Sequence, residues 1–121
     1  MQVVIVGAGY TGRRVLERLG EDRALGLTRS DLDLDRPSAS APELPEVYSL
    51  LYTVPPRADV DGDPRLETLL SHLKPAPQRF VYLSTTGVYG DRRGRRVDET
   101  ATMAPASDRA KRRAAAEALL Q

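Results

Sequence analysis

The sequence predicts an α/β fold, an open parallel sheet of four or five strands with flanking helices, and three observations carry that expectation. Short apolar runs alternate with segments that repeat their apolar residues at helical spacing, the pattern of parallel strands joined by right-handed crossovers. The first such run starts almost at the amino terminus and leads into a glycine-rich turn. The 121 residues suffice for a single domain with one core, read here as residues 1–121 without a separate substrate domain.

Val3 to Val6 is β-branched throughout and reads as a buried parallel strand. Gly12, Val15, Leu16 and Leu19 then recur at helical spacing, with Arg13, Arg14, Glu17 and Arg18 on the other side and Gly20 as a stop. Ala24 to Leu27 is a second short strand. From Asp31 to Glu46 the pattern dissolves. Pro37, Pro42 and Pro45 forbid a regular helix or central strand there, and with few apolar anchors the stretch is expected to be poorly ordered or extended over the surface. Val47 to Val54 restores a strand, halted by Pro55 and Pro56. Pro64 suits a first helical turn, and Leu66, Leu69, Leu70 and Leu73 form one helical face. His72 falls off that stripe and is expected to be solvent-exposed. Arg79 to Ser84 is a further strand, followed by a loop rich in glycine and charge. Ser107 can cap a last helix with Ala110, Ala114, Ala118 and Leu119 on its apolar side. No internal repeat is present.

Composition removes several functional classes. With 18 basic and 17 acidic side chains, no global field marks the chain for nucleic acid or a membrane surface. The absence of cysteine excludes disulfides, thiolate nucleophiles and sulfur-ligated metals, and a single histidine excludes imidazole triads and multi-histidine metal sites. No apolar run approaches the roughly 20 residues of a membrane span, and MQVVIVGAG lacks the marks of a secretory signal. A cytoplasmic location is the expectation.

The strongest motif is Gly7-Ala8-Gly9-Tyr10-Thr11-Gly12, a G-x-G-x-x-G placed between a predicted strand and a predicted helix, the setting of a Rossmann-type dinucleotide site. Gly7 permits the tight turn, Gly9 lets the backbone approach a pyrophosphate, and Gly12 lets the helix pack against the strand. Together with Tyr10 and Thr11, these residues present the amide-rich start of the helix to an anion. A tight turn that serves no ligand is the plainer alternative. At the end of the second strand, where NAD sites usually place an acid, stands Thr28-Arg29-Ser30. A guanidinium and a hydroxyl at Arg29 and Ser30 suit a 2′-phosphate, so NADP is the expected cofactor. Asp31 and Asp33 follow closely and keep NAD as the lesser alternative, with a solvated loop arginine as the bland reading of Arg29.

The segment STTGVYG (84–90), VDET (97–100) and Pro105, together with GAGYTG, resembles the extended and atypical short-chain dehydrogenase/reductase family, the NAD-dependent epimerases and dehydratases. That resemblance implies an NAD(P)-binding Rossmann domain in which Thr85 holds the reacting oxygen and Tyr89 lies on the substrate side. It implies that Thr53, Val54 and Pro55 line the cofactor, with Thr85 beside them. On the same resemblance the chain is a truncated relative without the family's substrate region. Three departures stand out. Val6 replaces a further family glycine, residues 31–46 leave little room for the usual third strand and its helix, and the family's Tyr-x-x-x-Lys pair falls on Arg109 and Arg113. Arginine does not exchange a proton near neutral pH, although Arg113 can still bind ribose hydroxyls. Sliding the register to Ser107 and Lys111 spoils the spacing to Pro105 and offers only a weakly acidic alcohol.

The expected function is therefore binding of a dinucleotide, NADP before NAD, by a relative with a degraded catalytic pair. The first alternative is an active NADP-dependent oxidoreductase or epimerase working through Thr85 and Tyr89. The second is a polyanion-binding module using Arg92, Arg93, Arg95, Arg96 and the turn from Arg109 to Arg113, where acids and a lack of stacking aromatics argue against nucleic acid. A sheet that ends before the next family strand would leave an unpaired edge, so a homodimer covering it is expected.

Overall fold

In the structure, a computed structural model, residues 1–36, 40 and 42–121 are described. They form two compact units. One comprises Met1–Pro55 and Arg65–Leu83, the other Pro56–Pro64 and Ser84–Gln121.

The first unit holds the sheet. Strand β1 is Gln2–Val6, β2 Ala24–Leu27, β3 Tyr48–Tyr52 and β4 Arg79–Tyr82, in the order β2-β1-β3-β4. All three pairings are parallel, with Val6 opposite Leu27 on one side and Tyr52 on the other. This is the open parallel α/β sheet of the Rossmann type that the alternating pattern predicts. β1 is central, which explains its unbroken apolar run: Val4, Ile5 and Val6 are buried on whichever face they point to.

Helix α1 (Tyr10–Leu19) and helix α2 (Pro64–His72) cover opposite faces. Gly26 of β2 faces Leu16 and Ala8, so α1 lies on its side, while Leu27, Val6, Leu50 and Leu69 surround one small apolar cavity on the α2 side. Tyr48 is fully buried in β3 and needs a partner for its hydroxyl, which it donates to the Pro75 carbonyl at 2.6 Å. On the α1 side the edge strand β4 is less covered, and Val81 remains 51% exposed.

Several expectations need correction. β3 and β4 stop two residues short of the apolar runs that announced them, at Tyr52 and Tyr82. His72 is half-buried rather than solvent-exposed: in the last turn of α2 its Nδ1 turns back onto the Thr68 carbonyl at 2.8 Å. Among the described residues of the 31–46 connection there is no helix or strand, as the prolines require. The stretch is nevertheless anchored at its start, where Leu32 and Leu34 are each 7% exposed. Pro37 lies outside the described residues.

The second unit is built around a 3₁₀ turn, Thr86–Tyr89, and helix α3, Asp108–Leu119. Ser107 caps α3 as expected, its hydroxyl accepting from the Ala110 amide at 3.1 Å. The buried residues of α3 are Ala110 and Ala116, whereas Ala118 and Leu119 are exposed, contrary to the spacing. Three successive alanines, 114–116, carry too little contrast in polarity for periodicity to choose the inward one. Arg112 ties α3 to the 56–64 segment by donating to the carbonyls of Val60 (2.8 Å) and Ala58 (2.7 Å). No helix among the described residues is long and apolar enough to cross a membrane.

Leu50, only 1% exposed at the centre of the sheet, reports on this core. Leu50→Ala is expected to lower stability by about 2–5 kcal/mol, measured as a shift of the urea unfolding midpoint at unchanged m-value.

Candidate functional site

β1 passes into α1 through three residues, Gly7, Ala8 and Gly9. A turn this tight needs a left-handed residue, and Gly7 supplies it with φ +94°. Its amide and that of Ala8 both donate to the Leu27 carbonyl, at 3.0 and 3.1 Å, which fastens the loop to β2. Thr53, just beyond β3, fastens it on the other side by donating its hydroxyl to the Gly7 carbonyl at 2.6 Å. Gly12 sits in the first turn of α1 directly over that carbonyl. A Cβ there would lie 2.5 Å from the Gly7 oxygen and 3.0 Å from Ile5 Cγ2, so only glycine allows this approach of helix to strand.

Gly9 is different. It has a negative φ, and a Cβ added to it would meet no atom within 4 Å. Packing within the described residues does not call for glycine at this position, although its ψ of −139° lies outside the α and β regions. The amides of Tyr10, Thr11 and Gly12 that follow belong to the first helical turn, where no intrahelical carbonyl is available to them. That turn contains no acidic side chain, and Gly9 caps it without a side-chain bond. The end of α1 is therefore a positively polarised set of donors, with Tyr10 and Thr11 exposed and Gly12 buried. Tyr10 is 78% exposed, and Arg14 lies over its ring, 3.8 Å from the centroid.

At the end of β2, Thr28, Arg29 and Ser30 are all exposed. Asp31 does not reach toward an open site. Its carboxylate accepts from the Thr28 amide (2.7 Å) and hydroxyl (2.9 Å), and these two bonds hold it below the usual aspartate range. Arg29 stands 72% exposed within ion-pair range of Asp33 (3.7 Å) and Asp35 (3.3 Å). Both oxygens of Asp35 in turn are gripped by the Nε–Nη2 edge of the Arg65 guanidinium, at 2.8 and 3.1 Å, and Arg65 donates a further bond from Nη1 to the Pro55 carbonyl at 3.0 Å. The structure thus brings Gly7, Gly9, Tyr10, Thr11, Gly12, Thr53, Val54, Pro55, Arg29 and Ser30 together in one unit, at or near the carboxyl ends of β1, β2 and β3.

The sequence reading overlooked Asp35 and Arg65. The signal was present in Asp31-Leu32-Asp33-Leu34-Asp35, whose strict alternation turns the leucines inward and the aspartates to one polar side. It also missed that the Thr53 hydroxyl serves the loop itself.

Thr85, Tyr89, Arg109 and Arg113 belong to the other unit. The Thr85 hydroxyl accepts from the Gly87 amide at 3.2 Å and so caps the 3₁₀ turn that carries Tyr89, which is half-buried. Arg92 braces this turn through the carbonyls of Tyr89 (2.9 Å) and Thr102. On α3, Arg109 is exposed and Arg113 half-buried. The Ser107 oxygen serves as the helix cap, accepting from the Ala110 amide. Among the described residues no group of acidic or histidine side chains is arranged to hold a metal ion.

No protein-family model and no curated protein matches this chain. Among solved structures it is similar to a functionally unknown conserved protein from Silicibacter pomeroyi, with 29% identity and a TM-score of 0.77. The similarity covers 98% of this chain and 47% of that one, so this chain spans about half the length of the structure it matches.

The contact between Gly12 and the Gly7 carbonyl makes a stability prediction. Gly12→Ala forces helix and strand apart and is expected to cost about 1–3 kcal/mol in a denaturation experiment, in spite of alanine's better helix propensity.

Proposed function

We propose that this chain binds a dinucleotide, NADP in preference to NAD, as a relative of the extended short-chain dehydrogenases/reductases that binds its cofactor without hydride transfer. The observation that carries the reading is Gly9. Gly7 and Gly12 serve the turn and the helix packing, whereas the bare backbone of Gly9 faces open space that a ligand can approach. A pyrophosphate is the group for which that approach, first-turn amides and the positive end of α1 are suited. NADP is favoured because the residue presented at the end of β2 is Arg29 between two hydroxyl side chains, with Asp31, the first acid after it in the sequence, already committed to Thr28. The amides of Tyr10, Thr11 and Gly12 would hold the pyrophosphate, and Arg29 with Ser30 the 2′-phosphate. Thr53, Val54 and Pro55 form the strand end beside the loop.

The cofactor would supply hydride chemistry when bound. The chain's contribution to such a step would be a group that exchanges a proton near neutral pH. The two positions on α3 aligned with the family's pair hold guanidinium groups, which stay charged, and the Thr85 oxygen accepts a backbone hydrogen bond.

Binding is tested by titrating the protein with NADPH and NADH. Gly9→Ala is expected to keep a cooperative urea transition yet weaken NADPH about tenfold or more; unchanged binding would remove the basis of the proposal. Arg29→Ala is expected to weaken NADPH selectively, also by about tenfold, the value of a charge-assisted bond to phosphate. Equal losses for both cofactors would mean that Arg29 does not read the 2′-phosphate. A screen of NADPH oxidation against carbonyl and nucleotide-sugar substrates is expected to show no turnover, and turnover abolished by Tyr89→Phe would instead make Tyr89 an acid/base.

A further inference from the structure

Arg29 is not a free cation. Its Nη2 is 3.3 Å from Asp35 Oδ2 and its Nε is 3.7 Å from Asp33 Oδ1. The two carboxylates are fixed far more firmly than the arginine they face. Asp33 Oδ1 accepts from the Asp35 amide at 3.0 Å, Asp35 is held at both oxygens by Arg65, and the intervening Leu34 is buried. Asp33 and Asp35 are 25% and 19% exposed, against 72% for Arg29. The contrast between the two arginines on Asp35 is informative. Arg65 forms a short two-bond fork at 22% exposure, whereas Arg29 leans on the Oδ2 that Arg65 already holds, at a distance set by charge rather than by hydrogen-bond geometry. Such a pair does little to orient Arg29, and it is weak enough to exchange.

We propose that Asp33 and Asp35 are specificity-determining residues that act as a built-in counter-anion for Arg29, holding its affinity for a 2′-phosphate below what the guanidinium alone would provide. The proposal rests on the reading of Arg29 as the phosphate-binding residue. A 2′-phosphate must take Arg29 away from two anchored carboxylates and also tolerate their charge. The ribose hydroxyl of NAD meets neither cost. The pair therefore narrows the preference for NADP over NAD, and the carboxylates cannot swing aside because Arg65, Leu32 and Leu34 fix the loop that bears them. Arg36, whose Nε lies 3.6 Å from Asp33 Oδ2, offsets part of that charge and is 80% exposed.

Asp33→Asn is the discriminating substitution. Its amide oxygen can still accept from the Asp35 amide, so the loop bond is retained while one charge is removed. NADPH affinity of the full chain is expected to rise about two- to fivefold, the range of an exposed ion pair, while NADH affinity changes less than about twofold. In an Arg29→Ala background the gain should shrink, because the ion pair being relieved is then absent. An equal gain in both backgrounds, or no gain in the wild-type background, overturns the counter-anion assignment. If Arg29→Ala by itself weakens NADPH and NADH alike, the phosphate reading of Arg29 fails and the counter-anion fails with it. A selective loss with Arg29→Ala and no effect of Asp33→Asn sinks the counter-anion alone.

Discussion

The contact of Gly12 with the Gly7 carbonyl governs much of what the first unit presents to solvent. Only three residues separate the end of β1 from the start of α1, so the helix must turn back onto its own strand almost at once. That is feasible because Gly7 accepts a left-handed φ and Gly12 has no side chain to hold the helix off. The Gly7 carbonyl, squeezed between them, receives the Thr53 hydroxyl, and the amides of Gly7 and Ala8 are satisfied by Leu27. Three strands thereby clamp one loop. With its own polar groups paired inward, the loop leaves only the first-turn amides of α1 directed outward.

A second clamp operates a few residues away through side chains. The Asp31–Arg36 segment follows β2 without regular structure, yet Leu32 and Leu34 are as buried as many strand residues. Asp31 closes the turn on Thr28, while Asp35 joins the segment to Arg65 in the first turn of α2 and, through it, to the Pro55 carbonyl beyond β3. The Asp35–Arg65 pair has the short, two-bond geometry of a strong charge-assisted contact, but the arginines around it are progressively more exposed, and those outer pairs contribute little to stability. Their importance is to the local potential in which Arg29 operates.

Where polarity alternates strongly, the sequence was readable. The unbroken run in β1, the alternation of strands with helices and the glycine loop all announce the sheet, because a central parallel strand and a tight strand–helix turn each tolerate few residue types. Legibility declined where contrast was weak or contacts were distant. The alanines of α3 could not reveal which of them is buried, and Ala116 was missed. The last residues of the apolar runs at 47–54 and 79–84 were read as strand although pairing stops at Tyr52 and Tyr82. Asp35 and Arg65 are thirty residues apart, and nothing local to either announces the other. Of the candidate site, the glycines and Arg29 were visible as motif positions and Asp33 as a close neighbour in sequence, while the pairing of Asp35 with Arg29 required the fold.

The topology explains why those separate segments converge. From β1 the chain moves outward to β2, then returns past β1 to continue in β3 on its other side. Helices after β1 and after β3 consequently lie on opposite faces of the sheet, the topology in which open α/β sheets generally bind ligands beyond the carboxyl ends of their strands. The glycine loop follows β1, Thr53 to Pro55 follow β3, and Arg29 with its carboxylates follows β2, so all three border that position. In this arrangement the backbone and the side chains have different tasks. The helix end contributes fixed partial positive charge that no substitution of a side chain can cancel, which suits a group common to every dinucleotide. Arg29, Asp33 and Asp35 contribute full charges of both signs at the periphery, where one substitution changes the balance. On the proposed reading, recognition of the shared pyrophosphate would be built into the fold, and discrimination between cofactors would be left to three exposed or half-buried side chains on a single loop.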